Sequence, residues 1–188
     1  MVMAETIDDE HIVEQFNRGD ESAFDRIVEQ YSSDIAALAN RLLGWSGDVE
    51  DVTQDIFLAA FLGLKKFRCD CSIKTWLFTI TVNKCRSYRY RILRRKRVTK
   101  AADIAVQISE GATDDHTMKN ETFEHVRHAV QALPVKYREP VVLRYLQELP
   151  TDEISRILGI SKNTLQVRLN RARARLKEKL ADLLEEKL

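Results

Sequence analysis

Residues 151–180 read TDEISRILGISKNTLQVRLNRARARLKEKL, two amphipathic segments either side of a turn at Gly159 and Ile160. In the first, Ile154, Ile157 and Leu158 recur at helical spacing and make one apolar stripe. Ser161 is placed to N-cap the second, ahead of a run of good helix formers. There Leu165, Leu169, Ala172 and Leu176 fall at i, i+4, i+7 and i+11, one buried face. The opposite face carries Gln166, Val167, Asn170 and Arg171, then Arg173, Arg175 and Lys177. The pattern predicts a helix-turn-helix whose second helix can offer amides, an aliphatic group and guanidinium to base edges in a major groove. An ordinary helical hairpin with a solvated basic face is the alternative. The coincidence of turn, cap, stripe and basic face in this order favours DNA.

Working outward, the 188-residue chain has only 6 Gly and 3 Pro with 31% charged residues, the composition of an all-helical protein. Its formal net charge is +1, so it is no general basic coat for nucleic acid. The charges are segregated instead. No Asp or Glu occurs from Cys71 to Ala102, where Lys74, Lys84, Arg86, Arg89, Arg91, Arg94, Arg95, Lys96, Arg97 and Lys100 accumulate. So many cations without an acid repel one another and imply an anionic partner. Three cysteines, an odd number, argue against a secreted disulfide framework. No apolar run is long enough for a bilayer, and the acidic start MVMAETIDDEH is unlike a signal peptide, so a cytoplasmic protein without membrane insertion is expected.

In chain order, residues 8–31 read as one or two helices broken at Gly19-Asp20, with Ile12, Val13, Phe16, Ala23, Phe24, Ile27, Val28 and Tyr31 inward and Asp20 or Ser22 as cap. A helical pattern continues to Leu43 and stops at Gly44. After an N-cap expected at Asp48, Val49, Val52, Ile56, Ala60 and Leu64 form an inward stripe beside Phe57 and Phe61. Glu50, Asp51, Gln54 and Asp55 lie outside it. Such acids stabilise a helix N-terminus through its dipole, or they form a docking face for a basic partner; periodicity leaves both open. FRCDCSIKT, 67–75, reads as a loop. In the following WLFTITVNKCRSYRYRILRRKR, β-branched Thr79, Thr81 and Val82 allow a strand, but Trp76, Ile80 and Lys84 share a helical face. Aromatics among cations suit single-stranded nucleic acid, although Trp76 also serves as a core anchor in an equally good reading. The stretch 101–116 lacks any period and is expected to be a flexible linker between two small helical domains. Two helices split near Pro134 follow, with Phe123, Val126, Val130, Leu133, Val141, Val142, Tyr145 and Leu146 inward and Pro140 near the start of the second. With the helix-turn-helix they complete a four-helix domain.

At this point the chain resembles the extracytoplasmic-function (group IV) sigma factors of bacterial RNA polymerase. The stretches that carry the resemblance are GDESAFDRIVEQY, DVEDVTQDIFLAAFLGLKKF, Ile73 to Leu77 and Asn83 to Arg91, then ALPVKYREPVVLRYLQELPTDEISRILGISKNTLQVRLNRARARL. Their order and spacing cover almost the whole chain. The resemblance implies an all-α protein: a region 2-like domain over 1–100, a linker over 101–118 and a region 4-like domain over 119–188. It implies core RNA polymerase and promoter DNA as partners, and an anti-sigma factor, with no small-molecule substrate and no cofactor. Asp51, Gln54 and Asp55 resemble the face that docks on the coiled coil of the largest subunit; the second domain would meet the flap of the second-largest. The loop holding Phe67, Arg68, Ser72 and Lys74 resembles the one that captures a flipped minus-10 base, and Trp76, Asn83, Arg86 and Arg89 resemble the part that holds melting DNA. Gln166, Val167, Asn170 and Arg171 occupy the positions that read the minus-35 element, with Lys162, Asn163, Arg168 and Arg173 mainly on phosphates.

Cys69-Asp70-Cys71 departs from the family pattern. A metal site with Cys85 and a histidine, or a redox switch, is conceivable there; His11, His116, His125 and His128 do not cluster beside it, and free thiols with no metal are expected. A polymerase-independent helix-turn-helix regulator remains the second function class. An enzyme is the weakest: no glycine-rich phosphate loop and no nucleophile–base motif is present, so no catalytic residue is assigned.

Overall fold

The computed structural model describes residues 9–44, 49–100 and 118–181, with side chains omitted at 96–100 and 118–122. Among the described residues every regular element is helical. The elements are α1 (Asp9–Asn17), α2 (Ser22–Leu43), α3 (Val49–Leu64), α4 (Ile73–Lys100), α5 (Met118–Gln131), α6 (Val135–Val141) with a π-helical turn (Val142–Leu146), α7 (Thr151–Leu158) and α8 (Lys162–Lys179). Two compact units are distinguished, Met1–Cys85 with Ser155–Gly159 and Arg86–Ile154 with Ile160–Leu188. The expected linker at 101–116 and the expected cap at Asp48 lie outside the described residues.

In the first unit, α1 ends where Gly19 takes φ +97, a conformation L side chains rarely adopt. Glu21 is the N-cap of α2 and makes no side-chain cap bond, but Asp20 Oδ1 accepts the N–H of Ser22, the first helical residue, at 3.1 Å. Gly44, at φ 85, closes α2 by donating its N–H to Asn40 O. Three helices meet through phenylalanines. Phe16 of α1 and Phe24 of α2 each stand edge-on to Phe61 of α3, at 5.3 and 5.1 Å between centroids. Such pairs add about 0.5–1.5 kcal/mol each to the area they bury. Ile27, Ile35, Leu38, Ile56, Leu64, Ile73 and Leu77 are fully buried around them.

The segment with β-branched residues is helix throughout. Thr79 and Thr81 donate their hydroxyls to the carbonyls of Thr75 and Leu77, the back-bonding that lets such residues sit inside a helix. The start of α4 is fixed twice. Ser72 Oγ accepts the N–H of Thr75 at 3.1 Å, and Asp9 Oδ2, from the first turn of α1, accepts the N–H of Ile73 at 2.8 Å.

In the second unit, α5 and α6 pack on each other and on α8. Arg138 is buried because it donates to the carbonyls of Gln131 and Leu133, at 2.6 and 2.8 Å, and so satisfies the end of α5. Two expectations need correcting. Pro140 is not near the start of its helix: Pro134 is the N-cap, and Pro140 sits inside α6, two residues before the π-turn. Phe123, Val126, Tyr145 and Leu146 do not pack inward; they are 71%, 39%, 45% and 38% exposed. Among the described apolar residues of α5, Ala129 and Val130 in its last turn are buried, as is Leu133 beyond it, while Phe123 and Val126 are exposed. Tyr145 and Leu146 are displaced by the π-turn, in which Gln147 N–H reaches back to Val142 O. Its wider turn breaks the 3.6-residue period that would have placed them with Val141 and Val142.

Candidate nucleic-acid interface

The helix-turn-helix is built as its residues dictate. Gly159 adopts φ +64 in the turn, and Ser161, extended at φ −67 and ψ 154, accepts the N–H of Thr164 at 3.2 Å. Leu165, Leu169 and Ala172 are buried, which turns Gln166, Val167, Asn170 and Arg171 to the exposed side. Val167 is 48% exposed, an aliphatic group held in water on a helix whose inner face is fully apolar. Gln166 Nε2 donates to Asn170 Oδ1 at 3.3 Å, one turn on.

Four cations of this face, Lys162, Arg171, Arg173 and Arg175, are held by other side chains. Lys162 pairs with Asp152 of α7 at 2.7 Å, an exposed pair of small net strength. Arg173 Nε donates to Tyr145 Oη at 2.6 Å. Arg175 stands 5.0 Å from the ring centroid of Tyr137. The Tyr137 phenol is pushed below its ordinary pKa, first by its hydrogen bond with Arg171. Asn163 is exposed and Arg168 half-buried. Tyr137 and Tyr145 carry no mark in the sequence near these arginines, which follow them by more than 20 residues, and only the fold brings them to this face.

Around the start of α4, Phe67 and Trp76 stack on each other, with centroids 4.9 Å apart and planes 31° from parallel. Trp76 also lies over Gly63: a Cβ there would stand 3.2 Å from Trp76 Cζ2. Ser72 is engaged as the helix cap, and Lys74 Nζ pairs with Asp34 at 2.7 Å. Arg68 and Asn83 are exposed, and Arg89 is half-buried. Arg86, in the second unit, donates from Nε and Nη2 to the two oxygens of the buried Glu139, at 2.7 and 2.6 Å. Those bonds push its pKa above the ordinary guanidinium value. The loop backbone is unusual at Cys69, with φ 56. Burial raises the thiols of Cys69 and Cys71, and neighbouring Glu10 and Asp9 raise Cys69 further. All three cysteines are free. On α3, Asp51 and Gln54 are exposed and Asp55 half-buried, outside the buried line of Val52, Ile56, Ala60 and Leu64.

The sequence matches the family model for sigma-70 region 2 over residues 27–98 and that for sigma-70 region 4 over 123–176. It is 31% identical to the ECF RNA polymerase sigma factor SigW of Bacillus subtilis, over 91% of this chain and 96% of that one. The chain belongs to the ECF RNA polymerase sigma factors. Another member, the sigma-E factor of Escherichia coli strain K12, is 30% identical over 97% of this chain and 99% of its own. Among solved structures, CnrH in complex with the cytosolic domain of CnrY superposes with a TM-score of 0.68, at 27% identity, over 93% of this sigma factor and 97% of that chain. The RpoE sigma factor of Bartonella quintana shares the fold, with a TM-score of 0.65 at 24% identity over 84% of this chain and 96% of that one. Among the described residues no helix of this sigma factor is long and apolar enough to cross a membrane.

Proposed function

We propose that this sigma factor binds core RNA polymerase and directs it to promoters by a division of tasks between residues 1–100 and 119–188, joined through 101–118. The observation that carries the reading is α8: a capped helix with Leu165, Leu169 and Ala172 buried and Gln166, Val167, Asn170 and Arg171 exposed on the opposite side. These four would read the minus-35 element, amides and guanidinium by hydrogen bonds and Val167 by apolar contact with a thymine methyl. Lys162, Asn163, Arg168 and Arg173 would hold phosphates, which position the helix without reading sequence.

In the first module, Asp51, Gln54 and Asp55 would meet the basic side of the polymerase coiled coil, and the second module would meet the flap. The loop 67–72 and the basic length of α4, from Lys74 onward, would hold the melted minus-10 strand. Phe67 and Trp76 form the wall on which an extruded base can rest. Extruding a base costs a few kcal/mol; a pocket and cations that bind only the separated strand offset it. Tethering both modules on polymerase raises the effective concentration of each at its element. No covalent step falls to this chain, so neither catalytic residue nor cofactor is assigned. CnrH, a structural relative, is solved with a protein partner, the cytosolic domain of CnrY; a protein antagonist, of the anti-sigma kind that the family resemblance implies, would bind this chain too, and a role in transcription would put it in the cytoplasm.

The test is transcription in vitro from a genomic DNA pool with purified core polymerase, mapping RNA start sites. Discrete starts that require the chain are expected. Binding to duplex DNA without any start would favour a polymerase-independent regulator, and neither would end both readings.

A further inference from the structure

Tyr145 reaches the DNA-facing helix because of the π-turn. In uninterrupted α-helical register it would share the buried side of Val141 and Val142; instead it is 45% exposed. Its hydroxyl oxygen accepts from Arg173 Nε at 2.6 Å, and the guanidinium carbon stands 5.8 Å from its ring centroid. A guanidinium can grip an oxyanion with Nε and one Nη, or with Nη1 and Nη2 together. Tyr145 takes Nε. Among the described residues the other edge meets Asn170 Oδ1 alone, 3.5 Å from Nη1, too long to be a strong bond.

We infer that Tyr145 is a positioning residue for DNA binding: it fixes the Arg173 guanidinium in one orientation and leaves the Nη1–Nη2 edge for a phosphate oxygen of the promoter backbone. The inference rests on the proposed placement of α8 on DNA. A free arginine loses rotamer freedom when it binds; one already fixed has lost it on folding, and the complex gains the difference. The contact with the phosphate stays with Arg173. Tyr145 acts through it, which gives the pair a signature that a structural tyrosine lacks.

The experiment uses the full chain with core polymerase and the strongest promoter fragment recovered by start-site mapping, measuring Kd against salt concentration. Tyr145→Phe keeps the ring and removes the acceptor; it should weaken binding about threefold to tenfold, one hydrogen bond's worth, and leave the salt slope and the melting temperature as in the parent. Arg173→Ala should weaken binding and lower the slope by about 1. In the Arg173→Ala background Tyr145→Phe should change nothing, and likewise with Arg173→Lys, which has charge but no Nε. Equal weakening by Tyr145→Phe with or without Arg173 would overturn the inference. So would full affinity in Tyr145→Phe while Arg173→Ala is impaired, an outcome that leaves the DNA assignment of α8 standing. If Arg173→Ala binds like the parent, the phosphate contact itself is wrong, and the inference falls with it.

Discussion

Removing the cap of α8 should cost stability in an amount that the structure sets. Ser161 Oγ accepts the Thr164 N–H at 3.2 Å and shares a second hydrogen bond, of 2.9 Å, with Thr164 Oγ1, and the site is exposed. A lost serine cap costs about 0.5–2 kcal/mol. The bond here is long and water can replace part of it, so Ser161→Ala should fall at about 0.5–1 kcal/mol. For a domain of this size that lowers the melting temperature by roughly 2–8 °C. Ser161→Gly should cost only a few tenths of a kcal/mol. Ser161→Asp keeps an acceptor and adds a charge at the positive end of the helix, about 0.3–1 kcal/mol in its favour, so it should melt at or above the parent. Calorimetry gives the order, and amide exchange at Thr164 locates the effect. An alanine variant that melts with the parent and protects Thr164 equally well would refute the capping argument.

Other expectations follow from the same geometry. Gly63→Val should push Trp76 off Phe67, seen as a red shift of its emission in a Trp45→Phe background; an unmoved spectrum would show that α3 can yield there. Arg171→Ala should weaken a preferred promoter by about 1–3 kcal/mol if its contact is bidentate to a base, whereas equal loss on unrelated sequences would reduce it to a phosphate contact. Lysines at Asp51 and Asp55 together should lower affinity for core polymerase, and undiminished capture in a pull-down would remove that face from the interface. Because burial raises the thiols of Cys69 and Cys71, alkylation of both should be slow at neutral pH and accelerate only above the pH range of an ordinary thiol; the fast reaction of a peptide thiol at pH 8 would contradict this.

What could be read from residues alone was whatever depends on local pattern. The stripe Leu165, Leu169, Ala172, the cap at Ser161 and the turn at Gly159 are each fixed by a few neighbours, and all three stand in the structure, although Leu176, expected to continue the stripe, is only half-buried. The first unit's buried line on α3 was legible for the same reason, since one amphipathic period runs unbroken from Val52 to Leu64. Periodicity failed where the helix itself changes pitch. Tyr145 was assigned to the core by counting 3.6 residues per turn across a segment that pairs i with i+5. Partners far apart in sequence were invisible too: nothing around Arg173 announces a tyrosine 28 residues earlier, nor does Arg86 announce Glu139. Phe123 was misread because a stripe declares that a face is apolar, not how much of it another helix will cover.

The bond from Asp9 to Ile73 closes a loop of 64 residues for a single amide. Chain entropy makes such a closure expensive until the helices between its ends are already in place. The first turn of α4 therefore cannot be completed ahead of α1; the two must appear and dissolve together as one cooperative unit. An N-terminal truncation past Asp9 would leave the Ile73 amide without its acceptor and loosen the loop 67–72 beside it, the loop proposed to hold the minus-10 strand, without altering any residue assigned to that contact.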